Sequence, residues 1–140
     1  MKKSILLSLG LFLSVIMACS ASNIPRPEYP RPQFERATWI NLNGTWSYEF
    51  DFSKSGKARS LFASNKLDRS ITVPFCPESP LSGVNYKDFI DAMWYQRKIS
   101  VPAEWDGKRV FLNLGAVDYK STIYIDGKEI FVHYGGSSSF

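Results

Sequence analysis

The sequence predicts an all-β sandwich, and three observations carry that reading. Short runs rich in β-branched and aromatic residues recur about every ten to fifteen residues between turns that contain Pro or Gly. One of them, Thr45 to Phe52, alternates strictly, with Trp46, Tyr48, Phe50 and Phe52 on one face and Thr45, Ser47, Glu49 and Asp51 on the other. Near the C-terminal end, Asp126-Gly127 separates two such runs, the signal of a hairpin whose two turn residues both need positive φ. No stretch has the period of a long amphipathic helix.

The elements follow in order. Lys2 and Lys3, the uncharged run Ile5 to Met17 and the small residues Ala18, Cys19, Ser20 and Ala21 read as a bacterial export signal over residues 1–18. The run is shorter than the 18 or so residues a membrane-spanning helix requires. Ile16-Met17-Ala18-Cys19 has the form of a lipobox, which makes Cys19 the expected lipidation site; cleavage after Ala21 is the alternative. Either route takes the mature chain to the periplasm or the cell surface, touching the membrane only through a lipid anchor.

Residues 19–37 form a Pro-rich tether, since Pro25, Pro27, Pro30 and Pro32 favour extended chain. The folded unit is expected over 38–140. Within it, strands are predicted at 45–52, at Ile71 to Val73, at Trp94 to Val101, at Arg109 to Leu114, at Thr122 to Ile125 and at Glu129 to Tyr134. The stretch from Pro77 to Asp91 is long for a connection inside a compact domain, a length usually associated with function. Phe140 reads as the first apolar residue of a further strand, so the sandwich is expected to be incomplete at its C-terminus.

Composition narrows the function classes. A chain of 140 residues, 44% hydrophobic and 21% charged, has the composition of a packed globule but is shorter than the ~200 residues of most complete catalytic architectures. Without residues 1–18, 15 basic residues face 13 acidic ones, so the formal charge falls from +4 to +2. The remaining Lys and Arg are scattered, which disfavours nucleic acid as a partner. With His133 the only histidine and Cys76 expected as a buried small hydrophobe, no metal site and no cofactor is expected.

Four segments together resemble a known family. They are Trp39-Ile40-Asn41-Leu42-Asn43-Gly44-Thr45-Trp46, the loop from Val73-Pro74 to Gly83, the run Trp94-Tyr95-Gln96-Arg97 to Val101-Pro102, and a C-terminal set. That set runs from Leu112 to Tyr119 and on through Ile123-Tyr124-Ile125-Asp126-Gly127 to His133-Tyr134-Gly135-Gly136. In order and spacing they resemble the N-terminal sugar-binding domain of glycoside hydrolase family 2, the β-galactosidase, β-glucuronidase and β-mannosidase group.

The resemblance implies a jelly-roll, galactose-binding-like sandwich, followed in full-length members by an immunoglobulin-like domain and a TIM barrel with two catalytic glutamates. Retaining hydrolysis needs two carboxyl groups about 5 Å apart across the scissile bond. The family's catalytic motifs match no position here, so no catalytic residue is transferred. Asp88 with Asp91, and Asp126 with Glu129, read as loop and turn charges. Ser137 to Ser139 beside His133 lack the sharp turn and orienting acid of a nucleophile, and His133 with Gly135-Gly136 is read as shaping a turn.

The implied partners are a β-glycoside and the catalytic domains of the same polypeptide, with hydrolysis of O-glycosyl bonds by the full-length protein. The family's rim loop corresponds to Gly83 to Asp91, which makes Asn85, Tyr86 and Asp88 candidates for contacting sugar hydroxyls. Trp105, in a turn-forming segment, is a candidate aromatic platform, whereas Trp39, Trp46 and Trp94 are expected in the core. A stand-alone carbohydrate-binding lipoprotein is the alternative function.

Overall fold

The computed structural model describes residues 24–140, so the expected signal peptide and Cys19 lie outside the described residues. The fold class is all-β. A three-stranded antiparallel sheet has the order β2-β1-β3, with β1 at Gly44–Phe50, β2 at Arg69–Val73 and β3 at Met93–Gln96. A second, two-stranded sheet pairs β4, Lys120–Ile125, with β5, Lys128–Tyr134.

β1 is central because its alternation gives it one face to bury and its two edges are both paired. Its register sets Thr45 opposite Thr72 and Trp46 opposite Ile71 on one side, and Ser47 opposite Gln96 and Phe50 opposite Met93 on the other. Tyr48 and Ile71, the partner of Trp46, are 4% and 1% exposed, and Trp46 and Phe50 are half-buried. The predicted hairpin is present: Ile125 pairs with Lys128 across Asp126 and Gly127, whose φ angles of 49° and 75° are those of a type I′ turn.

Three expectations need correction. The run Arg109 to Leu114 is not a strand; only Leu114 is paired, exchanging both backbone hydrogen bonds with Phe140 at 2.8 and 3.0 Å. β-propensity favours an extended backbone, but a strand exists only where a neighbour completes its ladder. The predicted strand 94–101 is cut to Met93–Gln96, after which Arg97 reaches back to donate to the carbonyls of Leu42 and Asn43 at 2.6 and 3.0 Å. Cys76 is exposed, because Pro74 ends β2 and the turn closed by Ser79 N–H on the Cys76 carbonyl carries the thiol outward.

The Pro-rich segment also docks on the fold where it is described. Asn43 Nδ2 donates to the carbonyls of Pro25 and Arg26 at 3.1 and 3.2 Å, and Tyr29 packs edge-on against Trp39 at 4.7 Å.

One polar residue on β1's expected solvent side organises the core. Asp51 follows the last β1 residue, donates its backbone N–H to Ala92, and is only 3% exposed. Its carboxylate accepts from Gly56 N–H at 2.7 Å, Ser55 N–H at 2.9 Å and Trp94 Nε1 at 3.0 Å, with Arg59 Nη2 at 3.5 Å. Burial pushes the carboxyl pKa upward, yet the bonds from Trp94, Gly56 and Ser55, with the Arg59 charge, together hold it below its ordinary value. Five donors, the Ser55 hydroxyl at 3.4 Å included, thus keep a buried carboxylate ionised.

The same group links the sheets. The Trp94 ring lies 5.7 Å from that of Tyr124 on β4, and Tyr124 stacks on Phe62 at 5.1 Å with an interplanar angle of 11°. Lys57 and the Tyr124 hydroxyl both donate to Glu129 on β5, at 2.8 and 3.1 Å. The loop between β1 and β2 is therefore held to β3 through Asp51 and to the hairpin through Phe62 and Lys57.

Gly56→Ala is expected to destabilise the fold by about 1–3 kcal/mol or more, the cost of overpacking. A Cβ at that position would lie 2.0 Å from Trp94 Nε1 and 2.7 Å from Asp51 Oδ2. Urea unfolding checks this. Because the folded pKa of Asp51 is depressed, its stabilisation is full above the ordinary value of 3.8 and is lost as pH falls through the folded value. Asp51→Asn is accordingly expected to cost about 2–3 kcal/mol at pH 7, with the gap to the parent chain narrowing below about pH 4; a gap constant from pH 7 to 2 would contradict it.

Candidate functional site

The long loop after β2 is internally braced rather than structureless. Ser79 Oγ accepts from Leu81 N–H at 3.2 Å, the buried Ser82 hydroxyl donates to the Ser79 carbonyl at 2.7 Å, and Val84 N–H returns to Ser82 Oγ at 3.1 Å. Gly83, at φ 80°, turns the chain in a conformation that only glycine adopts freely, and Tyr86 N–H closes the loop on the Pro77 carbonyl at 2.9 Å.

That frame sets the Tyr86 ring 4.8 Å from Phe50 and 6.1 Å from Phe52. Phe52 lies two residues beyond β1 and is 49% exposed, so the three rings make a shelf that solvent reaches. Beside it opens a cleft of about 280 Å³ between Tyr48, Glu49, Phe50, Phe52, Asp68 and Arg69, with the Arg69 guanidinium 5.8 Å from the Phe50 ring centre. An apolar ring surface edged by carboxylates and a guanidinium suits a ligand with one apolar face and a rim of hydroxyls.

The structure brings together only part of the sequence-derived set. Tyr86 belongs to the shelf; Asn85, at φ 50°, and Asp88 sit in the same loop, exposed and without side-chain hydrogen bonds to any described residue. Trp105 ends a short 3-10 turn, Ala103–Trp105, is half-buried, and does not line the cleft. Phe50, Phe52, Asp68 and Arg69 were missed. Phe50 and Phe52 carried a usable signal, because they lie at the C-terminal end of the aromatic alternation, where β1 ends at Phe50.

Asp91, Glu129 and, at the edge of the shelf, Glu49, which pairs with Arg59, are engaged as structural charges. Asp91 pairs with Lys54 at 3.3 Å. Hydrogen bonds from Lys57 and then Tyr124 hold the Glu129 carboxyl below its ordinary range, opposite to the raised pKa a general acid requires. His133 stacks on Phe140 at 3.9 Å and shares a hydrogen bond with Ser138 Oγ at 3.2 Å, closing the C-terminal turn. Among the described residues no three His, Cys, Asp or Glu side chains gather as metal ligands.

No family model matches the chain. A curated β-glucuronidase of Felis catus is 28% identical over 124 residues, which cover 80% of this chain and 19% of that protein. Among solved structures, a β-glucuronidase of an uncultured Clostridium sp. superposes with a TM-score of 0.61 and 32% identity over 71% of this chain and 18% of the other. The Lactobacillus rhamnosus β-glucuronidase gives 0.57 and 30%, over 71% and 17%. The chain thus spans about a fifth of the length of these relatives.

A surface shelf and a core respond differently to truncation. Phe52→Ala is expected to cost about 1 kcal/mol, against about 2–5 kcal/mol for Ile71→Ala, whose side chain on β2 is fully buried. Chemical denaturation of the two variants checks the order; equal losses would place Phe52 in the core.

Proposed function

The chain belongs to glycoside hydrolase family 2, and from that premise we propose that it is the N-terminal, non-catalytic β-domain of an exported family enzyme. On this reading the full-length protein hydrolyses O-glycosyl bonds of β-glycosides and supplies the two catalytic carboxylates from another part of the polypeptide. The Lys2 to Cys19 segment supports export and a lipid anchor.

The observation that carries the local role is the shelf of Phe50, Phe52 and Tyr86 edged by Asp68, Arg69 and Glu49. A sugar ring laid on the aromatic faces buries its C–H side, while the Asp68 carboxylate accepts from its hydroxyls and the Arg69 guanidinium donates to its oxygens. Asn85 and Asp88, exposed in the loop that carries Tyr86, extend the polar rim. Nothing in this arrangement activates water or protonates a leaving group, so the role is to hold carbohydrate.

The chain is expected to release no p-nitrophenol from p-nitrophenyl β-D-glucuronide or β-D-galactoside, and to bind oligosaccharide weakly. Titration calorimetry against a panel of β-linked oligosaccharides should show that binding drops about tenfold or more in Phe52→Ala and Tyr86→Ala, the loss expected for a stacking contact. Turnover by the purified chain would defeat the non-catalytic reading, and unchanged binding in both variants would defeat the shelf. Micromolar affinity without any other domain would favour a stand-alone carbohydrate-binding lipoprotein.

A further inference from the structure

The Pro-rich segment ahead of β1 is gripped by the fold at several points. Asn43 Nδ2 donates to the Pro25 and Arg26 carbonyls, and Asn41 Nδ2 donates to the Arg26 carbonyl at 3.0 Å. Asn41 Oδ1 in turn accepts from Asn43 N–H at 2.8 Å, which fixes the two gripping residues to each other. Further along, Tyr29 packs edge-on against Trp39, and Arg31 donates to Ser139 Oγ, 108 positions later.

This grip decides how far the fold stands from the expected anchor. A free chain from Cys19 to Asn43 would reach up to about 85 Å, but with Pro25 held the reach from Cys19 falls to about 20 Å. An acyl chain on Cys19 therefore brings a bilayer to the docked segment at high effective concentration. The most exposed large apolar side chain of that segment is Phe34, 78% exposed at the end of the turn Pro32–Phe34. Its N–H closes the turn on the Arg31 carbonyl at 2.9 Å. Of the nearby charges, Arg26 and Glu28 pair with each other, which leaves Arg31 and Arg36 against Glu35. An open aromatic ring flanked by guanidinium groups matches the boundary of a membrane, the ring entering at headgroup level while the cations meet phosphates.

We propose that the docked segment, residues 25–40, is the face this domain lays on a phospholipid bilayer, with Phe34 inserted at headgroup level and Arg31 and Arg36 on lipid phosphates. The proposal rests on the reading of Cys19 as a lipid anchor. Its consequence is an orientation. The segment is gripped just before β1 begins, whereas the shelf lies where β1 ends, about 20 Å further along the strand. Phe89 is as open as Phe34, at 80%, but its loop is tied to that far end by Tyr86 on Phe52 and by Asp91 on Lys54. The shelf is thus held clear of the membrane, where glycans in solution reach it.

The test uses the full chain as a bacterial host processes it, reconstituted into vesicles of phosphatidylethanolamine and phosphatidylglycerol. Mass spectrometry of the N-terminal peptide reports the acyl groups on Cys19, and a nitroxide label reports the surface. The label is placed by Gln33→Cys, which keeps Phe34, or by Phe89→Cys, each combined with Cys76→Ser so that no other exposed thiol competes. Gln33 and Phe89 are both exposed, so these variants are expected to keep the fold. The label at 33 is expected to lose its collisions with a water-soluble nickel chelate and gain collisions with oxygen, at a depth of about 5–10 Å into the headgroup boundary. The label at 89 is expected to stay as open to the chelate as in free solution, and adding Phe34→Asp to the Gln33→Cys chain should restore collisions there. Acylated protein with both labels equally open would overturn the docking face and leave the anchor standing. Shielding at 89 would overturn the orientation, and shielding at 33 unchanged by Phe34→Asp would overturn the role of the ring. A chain without acyl groups would overturn the anchor and the proposal with it.

Discussion

A carboxylate taken out of water at the end of a strand is the constraint on which the rest of this fold depends. Asp51 is buried and ionised, a combination that only a full set of donors makes tolerable. Those donors come from two places far apart in sequence: the backbone of Ser55 and Gly56, and the indole of Trp94 on β3. Satisfying the charge therefore forces the loop after β1 to curl beneath the sheet and forces β3 to present its tryptophan inward. Gly56 is the residue that lets the backbone come this close, and the loop then carries Phe62 and Lys57 to the hairpin.

The shelf and the docked Pro-rich segment both follow from how the chain is held at the two ends of β1. At its C-terminal end the chain must bend to bury Asp51, and the bend turns Phe52 outward, where Tyr86 from the braced loop joins it and Phe50. At its N-terminal end Arg97 donates to the Leu42 and Asn43 carbonyls, and the Asn43 side chain donates to those of Pro25 and Arg26. One strand thus separates a ring-faced shelf from a docked N-terminal segment.

Much of the fold was legible in the sequence because its signals are local. The period-two alternation of β1 and the Asp126-Gly127 turn each involve a few adjacent residues, and both are present as expected. What depended on distant partners was not legible. Asp51 reads as a solvent-facing strand residue until Trp94, 43 positions later, is seen to donate to it. Arg109 to Leu114 has the composition of a strand, but whether it becomes one is decided by a neighbour's backbone. Of the candidate site, Tyr86 was identified through its loop, while Phe50 and Phe52 were assigned to the core by the very alternation that located β1. Trp105 was selected for its turn-forming neighbours, which say nothing about proximity to the shelf.

Asp51 makes the loop after β1 part of the cooperative core although that loop contains no strand. Native-state hydrogen exchange of the Ser55 and Gly56 amides measures this directly, since each amide reports the free energy of the opening that exposes it. Both are expected to exchange as slowly as the Tyr48 amide of β1, through global unfolding alone. Exchange at the rate of ordinary surface-loop amides, with β1 still protected, would contradict it.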